Sequence, residues 1–309
     1  MTTLESQVPA ASIDAATQVG VVALTVADLD RSVAFYRDAL GFAVLRRVGR
    51  DAVLGVADSP LLLLREQPGA LPWMVDGVTG LYHFAVLVPT RADLGRWLRH
   101  FLAVGYPPPG QGDHIVSEAL YLRDPDGHGI EVYRDRPREE WRWVNGHVQM
   151  GSGPVDVRGL LAEANGAGEP WAGLRAGTRL GHLHLQVGDI GQAQSFYHGV
   201  LGFDVVARLA SALFVSAGGY HHHLGLNTWH SQDASPAPAD AASLRFYTLA
   251  LPDDEARAVV VARVAAAGLD VEPVGSAIVV RDPCRNAVLL HVGRLSDADA
   301  ALALSPNPA

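Results

Sequence analysis

The sequence predicts an α+β protein made of four β-α-β-β-β modules, and three observations carry that reading. Asp28-Leu-Asp-Arg-Ser-Val-Ala-Phe-Tyr-Arg-Asp-Ala-Leu-Gly-Phe42 recurs as Asp189-Ile-Gly-Gln-Ala-Gln-Ser-Phe-Tyr-His-Gly-Val-Leu-Gly-Phe203, in register at an offset of 161 residues. Leu81-Tyr-His-Phe-Ala-Val-Leu-Val-Pro89 matches Leu244-Arg-Phe-Tyr-Thr-Leu-Ala-Leu-Pro252. Each of the latter pair is followed by an Asp-Pro turn, Asp124-Pro125 and Asp282-Pro283.

Within a module the elements follow from local chemistry. In the first, an alternating strand from Val21 to Val26 ends at an aspartate able to cap a helix, the helix places Phe35, Tyr36 and Leu40 on one face, and Gly41 stops it. Three β-rich runs follow, Ala43 to Val48, Ala52 to Val56 and Leu61 to Arg65. The modules fall at about 19–67, 80–135, 179–230 and 243–294. They group into an N-terminal domain at 19–135 and a C-terminal domain at 179–294, flanked by tails at 1–18 and 295–309. The stretch 136–178 between them reads as a connector with one short helix, and Gln232 to Ala242 reads as a loop.

Composition narrows the function classes. A net charge of −9, with no run of basic residues, argues against a nucleic-acid partner. One cysteine, Cys284, can form neither an intrachain disulfide nor a zinc-cysteine cluster, which fits a reducing cytoplasm. Neither a signal-like segment among the first 18 residues nor an apolar run long enough for a membrane span is present in the sequence. Thirteen histidines direct attention to a metal site.

The sequence resembles the vicinal oxygen chelate superfamily, whose paired βαβββ modules curl into cupped mixed sheets. The resemblance runs from about Val19 to Val292 and is greatest to the four-module catechol 2,3-dioxygenase-like branch. It rests on Gly80-Leu-Tyr-His-Phe-Ala-Val, Gly112-Asp-His-Ile-Val-Ser-Glu-Ala-Leu-Tyr-Leu-Arg-Asp-Pro-Asp-Gly, Gly181-His-Leu-His-Leu and Gly218-Gly-Tyr-His-His-His-Leu-Gly-Leu-Asn227.

Repeat spacing sorts the modules by chemistry. Equivalent first-strand positions are Val21, His83, His182 and Phe246, of which only the middle two are polar. Seven residues after the Asp-Pro aspartate stands Glu131 in the second module but Leu289 in the fourth. The inner modules therefore carry two imidazoles and one carboxylate, the composition of a facial triad that holds Fe(II) and leaves positions for substrate and O₂; ligand type does not separate Fe(II) from Mn(II). The resemblance implies the same metal role for His83, Glu131 and His182. In the better-known extradiol enzymes the ligands come from modules three and four, so here modules two and three must face one cup, within one chain or between the subunits of a homo-oligomer. Alternation points Glu131 away from Ile130 and Val132, and it puts His184 on the same face as His182, where repeat register favours His182 as ligand.

The resemblance also implies a catalytic histidine in the His221-His-His223 run, with His222 favoured by the following Leu224-Gly-Leu, and it matches His114 and Tyr121 to residues that contact substrate oxygens. His223 and His184 are then substrate-binding candidates, and Trp73, Trp97, Trp229, Tyr220 and Phe246 candidate pocket walls. His128, His147, His198 and His230 read as ordinary hydrogen-bonding histidines. The expected activity is Fe(II)-dependent extradiol cleavage of a catechol with O₂. Its competitors are a glyoxalase-like lyase or isomerase, which usually needs a second acid that module three lacks, a thiol transferase, and a metal-free binding protein of the antibiotic-sequestering type.

Overall fold

The computed structural model describes residues 12–74, 76–166 and 170–304; residues 1–11 and 305–309 of the expected tails lie outside them. All four modules form. The first contains β1 (Gln18–Val26), α1 (Leu29–Phe35, continued by a π-helical turn at Tyr36–Leu40), β2 (Ala43–Val48), β3 (Asp51–Val56) and β4 (Ser59–Glu66). The second has β5 (Val78–Leu87), α2 (Arg91–Ala103), β6 (Gly110–Asp113), β7 (Ser117–Arg123) and β8 (Gly129–Asp135). The connector holds β9 (Trp143–Val144), β10 (His147–Val148) and α3 (Val157–Gly166). The third module is β11 (Arg179–Gln186), α4 (Ile190–Gln194, continued by a π-helical turn at Ser195–Val200), β12 (Asp204–Arg208), β13 (Ala212–Ser216) and β14 (Leu224–Asn227). After the short β15 (Ser235–Pro236) comes the fourth, with β16 (Leu244–Leu251), α5 (Asp254–Ala266), β17 (Glu272–Val274), β18 (Ala277–Arg281) and β19 (Ala287–Val292), and then α6 (Asp297–Leu304).

The local signals act as expected. Asp28 and Asp189 are extended and accept hydrogen bonds from Arg31 N and Gln192 N, each satisfying a free amide of the first turn. Gly41 ends the first helical segment at φ 88°, where a β-carbon would be strained.

The strands do not assort by sequence halves. One sheet runs β17-β18-β19-β16-β1-β4-β3-β2 and joins modules four and one; the other runs β12-β13-β14-β11-β5-β8-β7-β6 and joins modules three and two. The halves at 19–135 and 179–294 are thus not two separate sheets, and modules two and three share a cup inside one chain. The reason is edge pairing: the first strands pair antiparallel across the halves, β1 with β16 and β5 with β11, leaving neither central edge open. Within each half the modules are tied differently. Tyr36 of module one donates a hydrogen bond of 2.8 Å to buried Asp124 of module two, and Tyr197 of module three does the same to Asp282 of module four. The recurring Phe-Tyr and Asp-Pro motifs are therefore partners across modules.

The helix-covered faces of both sheets pool into one core around Tyr36, Phe42, Phe84, Trp97, Tyr197, Phe203 and Tyr247. Burying each such side chain contributes roughly 1.5–3 kcal/mol. The segment expected as a C-terminal tail is instead partly ordered: α6 places Ala300 and Leu304 in a second apolar cluster with Val21, Phe246 and Leu289. The N-terminal segment is also engaged from residue 12 on, with Ile13 buried and its amide bonded to Gly202 O. Among the described residues no helix is long and apolar enough to cross a membrane.

Candidate metal centre and active-site cavity

On the concave face of the inner sheet, strand alternation sorts side chains into two sets. Phe84, Ile130, Val132, Leu183 and Leu185 face the helix-covered core, so His83, Glu131, His182 and His184 face the cup. Register then aligns one row: His182 lies opposite Ala85, Ala85 beside Glu131, and Glu131 opposite Tyr121. Ala85 is fully buried, and its small side chain leaves room between the acid and the imidazole.

His83 Nε2 and His182 Nε2 approach the same carboxylate oxygen, Glu131 Oε2, at 3.1 and 3.2 Å. One ligand atom from each of the three residues lies within 4.8 Å of the others, and all three side chains are buried. Two imidazole nitrogens and a carboxylate oxygen converging on one point, with an open cavity beside it, fit a divalent cation with free coordination positions. Burial alone would raise the Glu131 carboxyl, but His182 and His83 more than offset this and hold it well below the usual range. Burial in turn lowers His83 despite its acidic partner. A deprotonated carboxylate and a neutral imidazole are the forms a metal requires.

The site opens into a cavity of about 840 Å³. His114, Tyr121, His184 and His222 line it with the three ligand candidates, so seven of the eight residues singled out in the sequence meet there. The eighth, His223, is buried behind the wall, where its Nδ1 accepts from Ala217 N at 3.1 Å. It does not line the cavity, because His222 and His223 alternate at the approach to β14. His114 Nδ1 is 2.8 Å from Gly151 O and its Nε2 is 2.6 Å from Tyr121 Oη. A carbonyl only accepts, so Nδ1 carries the proton, Nε2 accepts from the Tyr121 hydroxyl, and the phenol oxygen keeps its lone pairs for a ligand. Burial, and next Glu131, raise Tyr121 so that it stays a neutral phenol. His184 and His222 are pushed well below the usual histidine range by burial and by neighbouring imidazoles.

Of the expected wall residues only Trp229 lines the cavity. Trp73 covers Gly80, Trp97 lies in the core, Tyr220 bonds Asp135 behind the site, and Phe246 belongs to the outer sheet. His128 bonds Asp124, His198 bonds Phe203 O and His230 pairs with Asp76, as ordinary histidines do. His147 likewise bonds Asn145 O and also lines the cavity, together with Gln149 and Met150 of the connector. Sequence reading missed this strap, yet its attachment is specific: Asp113 and Gly153 form a two-way backbone bridge that presses it against the strand preceding His114. Tyr82 and Phe214, also unanticipated, flank His184 with ring centroids 5.3 and 5.7 Å away.

Comparison with known proteins agrees with this architecture. Residues 18–132 and 179–290 match the family model described as Glyoxalase/Bleomycin resistance protein/Dioxygenase superfamily. The chain is 46% identical over 290 residues to Catechol-2,3-dioxygenase of Bacillus subtilis (strain 168), covering 91% of this chain and 99% of that protein. It is 32% identical over 109 residues to Biphenyl-2,3-diol 1,2-dioxygenase 2 of Rhodococcus globerulus, covering 33% of this chain and 57% of that one. In structure it is similar to glyoxalase I from Zea mays, with a TM-score of 0.54, 17% identity, and 93% and 95% of the two chains covered, a likeness of fold. By the family match and the full-length relative together, the chain belongs to the glyoxalase, bleomycin resistance protein and dioxygenase superfamily.

Proposed function

We propose that the chain is an Fe(II)-dependent extradiol dioxygenase that opens a catechol-type ring beside its two hydroxyls with O₂. The observation that carries this reading is the convergence of His83, Glu131 and His182 on one point of a cavity that also presents His222, His114 and Tyr121. The full-length relative named a catechol dioxygenase supports it. Iron, when bound, supplies Lewis acidity toward the two diol oxygens and an electron couple for O₂.

The chain's own residues do the rest. His83, Glu131 and His182 hold the ion from the sheet side and leave its cavity side free. His222, held neutral by burial, is free to take a hydroxyl proton from the diol through a bare ring nitrogen. Tyr121, donating to His114, offers its oxygen lone pairs to the second hydroxyl. Tyr82, His184, Phe214 and Trp229 form an aromatic wall suited to the flat ring. His223 supports the His222 loop from behind without touching the ligand. The single cysteine fits a cytoplasmic setting, in which Fe(II) persists.

The test is ring cleavage of catechol, followed as O₂ uptake and as the yellow ring-opened hydroxy-semialdehyde, which retains both oxygen atoms of O₂. His83→Ala and Glu131→Gln are expected to abolish it. Full activity in either variant overturns the assignment.

A further inference from the structure

Behind the cavity wall stand a carboxylate and an imidazole that the ring-cleavage scheme does not use. Asp135, the last residue of β8, lies four positions beyond Glu131 on the same face of the strand, outside the cavity lining. His221 is fully buried; its Nε2 lies 2.8 Å from Asp135 Oδ1 and its Nδ1 lies 2.8 Å from His222 Nδ1. Asp135 also accepts from the Tyr220 hydroxyl at 2.9 Å, and Tyr220 in turn accepts from Tyr133 Oη at 2.7 Å. The Trp141 ring packs edge-on against His221 at 5.1 Å.

These contacts leave little freedom in where the protons sit. A carboxylate only accepts, so the Nε2 of His221 carries a hydrogen. A neutral imidazole has one such hydrogen, so the Nδ1 of His221 is bare. The 2.8 Å contact between two Nδ1 atoms needs one proton, and it must therefore belong to His222. Histidine 222 is then left with a bare Nε2, and its ring lines the cavity. An imidazolium at position 221 would donate from both nitrogens and reverse this outcome. The two forms therefore give opposite tautomers at His222, which ¹⁵N shifts distinguish.

We propose that Asp135 and His221 are positioning residues that lock His222 in its Nδ1–H tautomer, so that a bare Nε2 faces the substrate hydroxyl. The proposal rests on the ring-cleavage role of His222 given above. Sequence and packing support the device across two modules. The carboxylate comes from the last strand of module two and the imidazole pair from the loop before the last strand of module three, so it exists only because those modules share a sheet. Gly181 is required as well: a β-carbon there would stand 1.7 Å from Tyr133 Oη and displace the Tyr133–Tyr220–Asp135 chain.

The direct test is the tautomeric state of the histidines, read from ¹⁵N shifts in long-range ¹H–¹⁵N correlation spectra of the metal-free, labelled protein. The expected result is Nδ1–H for His222 and Nε2–H for His221; Nε2–H at His222 overturns the proposal. In His221→Phe, which keeps the ring volume but removes the acceptor, His222 is expected to lose its single tautomer. There kcat for catechol should fall roughly 10- to 100-fold with KM and bound metal nearly unchanged. His221→Gln, whose amide oxygen can accept from His222, should recover most of that loss. A wild-type kcat in His221→Phe, or equal losses in both variants, also overturns it. Because the spectra are taken without metal, they decide the tautomer even if catechol is not cleaved, so failure of the proposal and failure of the dioxygenase reading are separable.

Discussion

The two sheets are built from the same module yet fill their concave faces in opposite ways. The inner cup, from modules two and three, turns His83, Glu131, His182 and His184 toward an open cavity of about 840 Å³. The outer cup, from modules one and four, has Val21, Phe246 and Leu289 at the equivalent positions and is closed by Leu295, Ala300 and Leu304. Two of its polar groups pair: His291 Nε2 lies 3.1 Å from Thr248 Oγ1, and that oxygen accepts from Val21 N. One scaffold thus supports a polar site where ligand-type residues converge and a dry core where they do not. The difference teaches that the fold sets the positions and the side chains at three of them set the use.

Exchanging side chains between the cups gives the sharpest ways to break this contrast. The largest effect is expected from Glu131→Gln, which removes the carboxylate proposed as the anionic ligand. Metal retention should collapse and ring cleavage should fall by roughly three orders of magnitude, since losing even an outer-sphere partner costs 10- to 100-fold. Metal analysis after gel filtration and steady-state assays check it. A variant that keeps its metal would show that the carboxylate is dispensable.

Leu289→Glu places the inner cup's acid at the matching position of the outer one. With Val21 and Phe246 at the positions where the inner cup has its two imidazoles, it buries a poorly compensated carboxyl, and a loss of about 3–5 kcal/mol in unfolding free energy is expected, without any gain of metal. Denaturant titration measures the loss. An unchanged midpoint would mean that the outer cup is wetter than its apolar lining implies.

Acid should distinguish the sheets next. Burial pushes His223 down to about 3 in the folded protein, and His184 and His222 are also lowered, whereas the outer sheet carries only His291 with a lowered value. The unfolded chain takes up these protons near 6.5 while the folded chain does not. Stability is therefore full above about pH 6.5 and is lost as pH falls toward 3, by up to ~1.4 kcal/mol per pH unit for each such histidine. His223→Gln should flatten that slope by about one histidine's share in metal-free protein. Hydrogen exchange between pH 6.5 and 4 should show the inner sheet opening first; uniform opening would contradict the contrast.

The smallest effect is expected at the connector strap. Met150→Ala enlarges the cavity wall without touching the ligands, so KM for catechol should rise a few-fold with kcat nearly constant. A matching fall in kcat would show that the strap also orders His114.

Much of this was legible in the residues because a repeat is a local signal read twice. The capping aspartates, Gly41 and the strand alternation around Glu131 are fixed by neighbours within a few positions, and repeat register alone singled out His83, His182 and Glu131. What was not legible depends on contacts far apart in the chain. That β5 pairs with β11 and β1 with β16 is decided by which edges meet after folding, so the sequence halves misdescribe the sheets. The strap 147–152 has the composition of a loop, and only its docking against Asp113 makes it a cavity wall. Asp135 carries no mark in sequence that distinguishes it from a solvated strand-end acid; its partner His221 lies 86 residues away.

The most direct measurement of the central claim is metal content and turnover on the same sample. Protein purified anaerobically and loaded with Fe(II) should hold about one iron per chain, because only the inner cup carries the proposed ligand set, and should consume one O₂ per catechol to give the yellow ring-opened product. Iron bound by the Glu131→Gln protein as tightly as by the parent, or stoichiometric iron with no ring cleavage on any catechol, would contradict the account.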